Sequence, residues 1–208
     1  MNYKREQVRD AVKSRGYKYF ENGDYNLNII GIRNSTTGNK ITNKFDDLIT
    51  LSFMVNGKWY FRQFECTTDP GLHWTKNLLN EDGVAILVPG QYSGSHMIGL
   101  HQGKYKALRQ KSPLKVYRDK DKDNEYDLIR ENIKKGIYGI NIHHASYTGT
   151  SAQVDKWSAG CQVIADIEDF NEFMRICTSS KKIWGNSFTY TLIDSRDIGI
   201  DPNFLKEL

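Results

Sequence analysis

Cysteine is scarce: Cys66, Cys161 and Cys177 are the three among 208 residues. An odd count without paired spacing excludes a disulfide scaffold and leaves at least one free thiol in any compartment. No run of 18 apolar residues occurs, so no membrane insertion is expected. The opening Met1-Asn2-Tyr3-Lys4-Arg5-Glu6 lacks an apolar core and a cleavage site, and the expectation is a chain made in the cytoplasm without a secretory leader. CxxC and HxxxH pairs are absent as well, which makes zinc the weakest reading of the cysteines and histidines. No cofactor and no metal are expected. There is no helix-turn-helix, zinc-finger or RNA-recognition signature beside the net charge of +4, so nucleic acid is not an expected partner. The basic excess reads as an ordinary solvated surface, with attraction to an anionic cell wall as the second reading. Asp119-Lys120-Asp121-Lys122-Asp123 opens like a calcium loop, but its sixth position is Asn124 and its twelfth Arg130. It reads as a solvated connector. Repeats and low-complexity tracts are also missing.

What is present is β-rich. Residues 4–15 are patterned as a short amphipathic helix ending before Gly16, and after Gly23 strand signals take over. Tyr25 to Arg33, Asp47 to Val55 and Lys58 to Cys66 are expected strands, the last two joined by Asn56-Gly57, a strong two-residue hairpin signal. Val84 to Val88 is continuously apolar and reads as a central strand buried on both faces. Met97 to His101 and Gly103 to Leu108 form an expected hairpin, Tyr126 to Lys135 a short helix, and Phe188 to Ile193 a closing strand. The pattern predicts one mainly-β or α+β domain, residues 23–208, carrying an N-terminal helical extension over residues 1–22.

The chemistry concentrates in Ile142-His143-His144-Ala145 and Trp157-Ser158-Ala159-Gly160-Cys161-Gln162-Val163. A thiol on a small-residue turn, with histidines on a preceding strand, is a workable nucleophile and base. Ala159 and Gly160 let a substrate carbonyl approach the backbone N–H groups of Gly160 and Cys161, which then stabilise an oxyanion. An inert core thiol and a metal ligand are the competing readings. After Val163, Asp166 is a candidate N-cap, and Phe170, Phe173, Met174 and Cys177 recur at helical spacing. Strand alternation puts Asn141 and His143 on one face, with Ile140, Ile142 and His144 on the other. Two isoleucines mark the inward face, so His143 is expected on the open side as the base, with His144 as a neighbouring or substrate contact. His101, Lys104 and Tyr105 of the expected hairpin are candidate cleft residues for a stem-peptide carboxylate. Thr67-Thr68-Asp69-Pro70-Gly71 is a turn by composition, with Asp69 a possible polar contact to a cleft.

His143, fourteen intervening residues and Ser158-Ala159-Gly160-Cys161 resemble the signature of the L,D-transpeptidase (YkuD-like) catalytic domain. The resemblance spans about residues 137–178. It implies Cys161 as nucleophile, His143 as general base, Ser158 as the turn residue whose backbone orients the imidazole, and an oxyanion pocket from Gly160 and Cys161. It implies a curled, mostly antiparallel sheet with few short helices, and peptidoglycan stem peptides as substrates. The family usually has glycine where His144 stands, histidine or serine where Ala159 stands, and an aliphatic residue then Arg or Asn where Gln162-Val163 stand. These departures fall at the expected substrate rim, making His144, Ala159 and Gln162 candidate substrate contacts. Asn-Ile-His with Ser-Ala-Gly-Cys-Gln is most similar to divergent bacteriophage members, presumed cell-wall hydrolases. That implies a phage lysin-type peptidase acting at the cell wall or carried in a virion, with transpeptidation as the alternative. A structural or wall-binding protein that keeps the fold without turnover is the reading from a different class.

Overall fold

In a computed structural model that describes residues 1–199, eleven strands and three α-helices follow one another along the chain. Residues 200–208, the end of the expected domain, lie outside the described residues. The order is α1 (Arg5–Ser14), β1 (Asn28–Arg33), β2 (Asp47–Val55), β3 (Lys58–Thr67), α2 (Leu72–Lys76), β4 (Val84–Leu87), β5 (Gly90–His101), β6 (Tyr105–Gln110), β7 (Leu114–Asp119), β8 (Lys134–Gly136), β9 (Ile142–His144), β10 (Gln162–Ile164), α3 (Ile167–Trp184) and β11 (Phe188–Asp194). The protein is mainly β.

The strongest local signals give the strands they promise. Asn56 and Gly57 both take positive φ and close the β2–β3 hairpin, whose register runs from Val55 opposite Lys58 to Asp47 opposite Cys66. Gln102 and Gly103 do the same between β5 and β6. Asp166 caps α3 as expected, its Oδ1 accepting from the backbone N–H of Glu168 (2.8 Å) and Asp169 (3.2 Å).

Non-local pairing departs from expectation. The main sheet is a closed barrel, in the order β1-β11-β5-β6-β9-β10-β3-β2, rather than a curled open sheet. Closure comes from β11, which lies parallel to β1 and antiparallel to β5 and so joins the two ends of the chain. The β9–β10 contact is parallel too, and the other pairings around the barrel are antiparallel. Val84 to Leu87 is buried but not central. β4 is the edge of a second, three-stranded sheet, β4-β7-β8, and burial there comes from covering chain rather than from flanking strands. The expected helix over Tyr126 to Lys135 is instead a 3₁₀ turn at Arg130–Asn132 followed by β8. Its backbone pairs with β7, and Tyr126 is pinned at its start by donating to the Pro70 carbonyl (2.6 Å).

The barrel core joins Ile29, Leu51, Phe64, Leu108, Ile142, Ile164 and Tyr190, and Phe170 and Phe173 of α3 pack into it. The N-terminal helix is docked on the barrel: Val8, Ala11 and Val12 bury against Ile30, Ile32, Leu48 and Ile193.

Candidate functional site

Cys161 ends a turn built around two constraints. Gly160 has φ +128°, and a Cβ there would overlap the Ala85 carbonyl oxygen on the edge of β4, so only glycine fits. Ser158 closes the turn with its side chain: Oγ accepts from Gly160 N–H (3.1 Å) and donates to the Cys161 carbonyl (2.8 Å). The Gly160 N–H, expected in an oxyanion pocket, is therefore already taken. The Cys161 N–H has no hydrogen bond among the described residues and stays available. The Ser158 carbonyl accepts from Gly71 N–H (2.8 Å), tying the turn to Thr67–Gly71 rather than to an imidazole.

Gln162 stands behind the turn, not at its rim. It is fully buried, its Oε1 accepting from Tyr190 Oη (2.7 Å) and its Nε2 donating to the carbonyls of Thr68 (3.2 Å) and Gly160 (3.3 Å). Gly31 makes room for that tyrosine, since a Cβ on it would overlap the Tyr190 hydroxyl. Asp69 is structural also: it pairs with the buried Arg33 at 2.8 Å, which leaves it no part in the cleft.

The thiol faces a cleft of about 480 Å³ lined by Ala159, His101, Asn141, Arg118, Tyr138 and the exposed Leu79 and Ile137. That volume accommodates a short peptide segment. Cys161 Sγ donates to the Gly139 carbonyl (3.2 Å), and burial pushes the thiol up to about 11, opposed only by the Asn141 backbone N–H. No hydrogen bond joins it to His143. At rest the group is a neutral thiol.

The β9–β10 register sets Val163 beside His143, and the Gln162 N–H donates to the Asn141 carbonyl (2.9 Å), so Cys161 stands level with Asn141. His143 is only 4% exposed, although the alternation predicts an open face: the His101 ring stacks on it at 4.2 Å and forms the cleft wall in its place. Its Nδ1 lies 2.7 Å from the His144 carbonyl, which can only accept, so Nδ1 carries the proton and Nε2 the lone pair. The orienting carbonyl implied for Ser158 is thus supplied by His144. Tyr105 Oη adds a longer contact to the same Nδ1 (3.3 Å). Burial, then the neighbouring His101, lowers His143 to about 3, which keeps it neutral. His144 is buried among Tyr105, Tyr147 and Phe170, its Nδ1 donating to the Ser146 carbonyl (2.9 Å). It contacts protein where substrate was expected. Lys104 is exposed at the hairpin tip.

Two residues to which the sequence assigns no role complete the site. Asn141 Oδ1 accepts from Gln110 N–H (2.9 Å), which fixes its amide so that Nδ2 donates to His101 Nδ1 (3.1 Å). His101 consequently carries its proton on Nε2. Gln110 is buried and clamps residues 136–140: Oε1 accepts from the backbone N–H of Tyr138 (3.0 Å) and Ile140 (2.9 Å), and Nε2 donates to the Ser112 and Gly136 carbonyls. An isolated glutamine in a strand carries no signal of this role, because its partners lie up to 30 residues away.

Away from the cleft, Asp119, Asp121 and Asp127 bring carboxylate oxygens within 4.8 Å of one another, and Asp119 is buried. The acidic run is drawn partly into the fold rather than being wholly a solvated connector. Among the described residues, no helix is long and apolar enough to cross a membrane.

Fold and site define a mainly-β barrel domain with one cysteine-bearing cleft. In comparison with protein families, curated proteins and solved structures, the chain matches none.

Proposed function

We propose that the protein is a cysteine-dependent acyl-transfer enzyme that hydrolyses peptidoglycan stem peptides at the cell wall, in the manner of a phage lysin. The observation that carries this reading is a thiol in a peptide-sized cleft, one residue ahead of β10, with a buried histidine on the parallel neighbour β9 locked in its base tautomer. In this reading Cys161 attacks a peptide carbonyl while its proton passes to His143 Nε2, which later returns it to the leaving amine. The Cys161 N–H and the His101 Nε2–H are the donors left for the oxyanion. Water then resolves the acyl-enzyme; an amine in its place makes the enzyme an L,D-transpeptidase. Because burial disfavours both the thiolate and the imidazolium, proton transfer accompanies attack rather than preceding it.

One observation favours a second reading, a wall-binding protein without turnover: the thiol is bonded to the Gly139 carbonyl and not to an imidazole. Mass spectrometry of sacculi incubated in heavy-oxygen water separates the two. Cleaved stems labelled with wild type, but not with Cys161→Ala or His143→Ala, support the hydrolase; exchanged unlabelled stems support transpeptidation. Unchanged stems across several wall chemistries reject both catalytic forms.

A further inference from the structure

Asp119, the last residue of β7, is only 3% exposed, yet no hydrogen bond and no ion pair reaches its carboxylate among the described residues. Burial, then the charges of Asp127, Asp121 and Asp123, push its carboxyl up to about 6, and the Asp121 N–H that works against them is too poorly placed for a hydrogen bond. Elsewhere the chain gives a buried acid its partner: Asp69 has Arg33 at 2.8 Å, and Asp47 accepts from the Thr68 N–H (2.6 Å) and Oγ1 (2.8 Å). Asp119 faces two more acids instead. Its oxygen and those of the exposed Asp121 and the half-buried Asp127 lie within 4.8 Å of one another, and neither neighbour has an ion pair among the described residues. Lys76 holds this loop by the carbonyls of Lys122 and Asp123, not by a carboxylate. Three acids that converge without a cation repel one another, and a buried one among them points to a ligand of positive charge. Oxygen donors alone, with no histidine or cysteine, suit a hard cation. Asp119, Asp121 and Asp127 are the first, third and ninth residues of the run that opens like a calcium loop, and Lys122 rather than the sixth residue takes positive φ, +64°. Two of the three acids stand on an irregular connector, which suits the adaptable shell of calcium better than the strict octahedron of magnesium.

We propose that Asp119, Asp121 and Asp127 bind a calcium ion that ties the end of β7 to the connector leading into β8. Asp119 lies opposite Val84, which with Gly83 and Ala85 lines the Cys161 cleft, so the ion braces that wall. The site does not depend on the reaction proposed for Cys161. With Arg130 in place of the bidentate acid at the twelfth position, binding falls at the weak end of calcium loops, about 0.1–1 mM. The test follows the melting temperature of the full chain, freed of metal by a chelator, on titration with calcium chloride or magnesium chloride at constant ionic strength. A rise of several degrees by about 10 mM calcium, half complete in the range given, is expected, with a clearly smaller rise in magnesium. Asp121→Asn and Asp127→Asn should abolish the calcium rise, and without metal both should melt at or above the wild type, because each removes a repelling charge. Glu131→Gln, an exposed acid outside the cluster, should keep the rise. No rise with calcium, or a rise that survives in both aspartate variants, overturns the site. Variants that melt below the wild type without metal overturn it too, since the acids would then be held by the protein itself. An equal rise with magnesium overturns the assignment to calcium.

Discussion

At Gly160 a single residue type is enforced twice, by a positive φ and by the Ala85 carbonyl that occupies the space of a side chain. Gly160→Ala should therefore cost at least about 2 kcal/mol of stability, visible as a lower melting temperature even though only one methyl is added. An unchanged melt would mean that the turn relaxes freely. His96 carries a different kind of constraint. Its Nε2–H donates to the Ile140 carbonyl (2.9 Å), its Nδ1 accepts from Ser95 Oγ (2.8 Å), and burial lowers its pKa to about 4. Below the ordinary histidine value the unfolded chain takes up a proton that the folded one refuses. Stability from the neutral ring is thus complete above about pH 6.5 and lost as the pH falls towards 4. Replacing the ring by His96→Gln should flatten the fall in stability over that interval by up to one proton, about 1.4 kcal/mol per pH unit. Parallel curves for the two proteins would contradict the buried neutral ring.

Among the elements, the Ser158–Gln162 turn is held from behind by Gln162, Tyr190 and the Thr67–Gly71 segment. Gln162→Leu leaves the Tyr190 hydroxyl and two carbonyls without their partner, and should lower stability by about 1–3 kcal/mol. A residue at a substrate rim behaves in the opposite way, with an unchanged melt and altered substrate affinity, so denaturation of this variant separates the two placements. The thiol and turn of the site were legible because Ser-Ala-Gly-Cys is a local motif. The expected role of Gln162 was not, since a polar side chain beside a motif looks the same whether it faces solvent or three buried partners. The open face assigned to His143 failed for a similar reason: strand alternation locates a side chain on a face, but only the β5–β6 hairpin determines that His101 covers it.

The whole molecule ties its first helix into the barrel wall through Val8, Ala11 and Val12. Burial of two valines and an alanine contributes on the order of 3–6 kcal/mol, a large part of the margin of an ordinary domain. Deleting residues 1–14 should lower the melting temperature sharply and expose an apolar face on Ile30, Ile32 and Leu48 to a hydrophobic dye. A truncated chain that melts like the full one would show the helix to be a dispensable extension. The barrel itself is a product of long-range pairing: β11 enters between β1 and β5, and its hydrogen bonds join Ile29 to the level of Tyr190 across most of the chain.

By itself the sequence determined the mainly-β class, the hairpin at Asn56-Gly57 and the one that follows Met97 to His101, the capped helix after Asp166, and the cysteine turn. Each is written in residues only a few positions apart, where backbone preference and side-chain period act directly. Barrel closure, the edge position of β4 and the burial of His143 were decided by the tertiary structure alone. They depend on which distant strands hydrogen-bond and which side chains then cover one another, and no local preference encodes that choice.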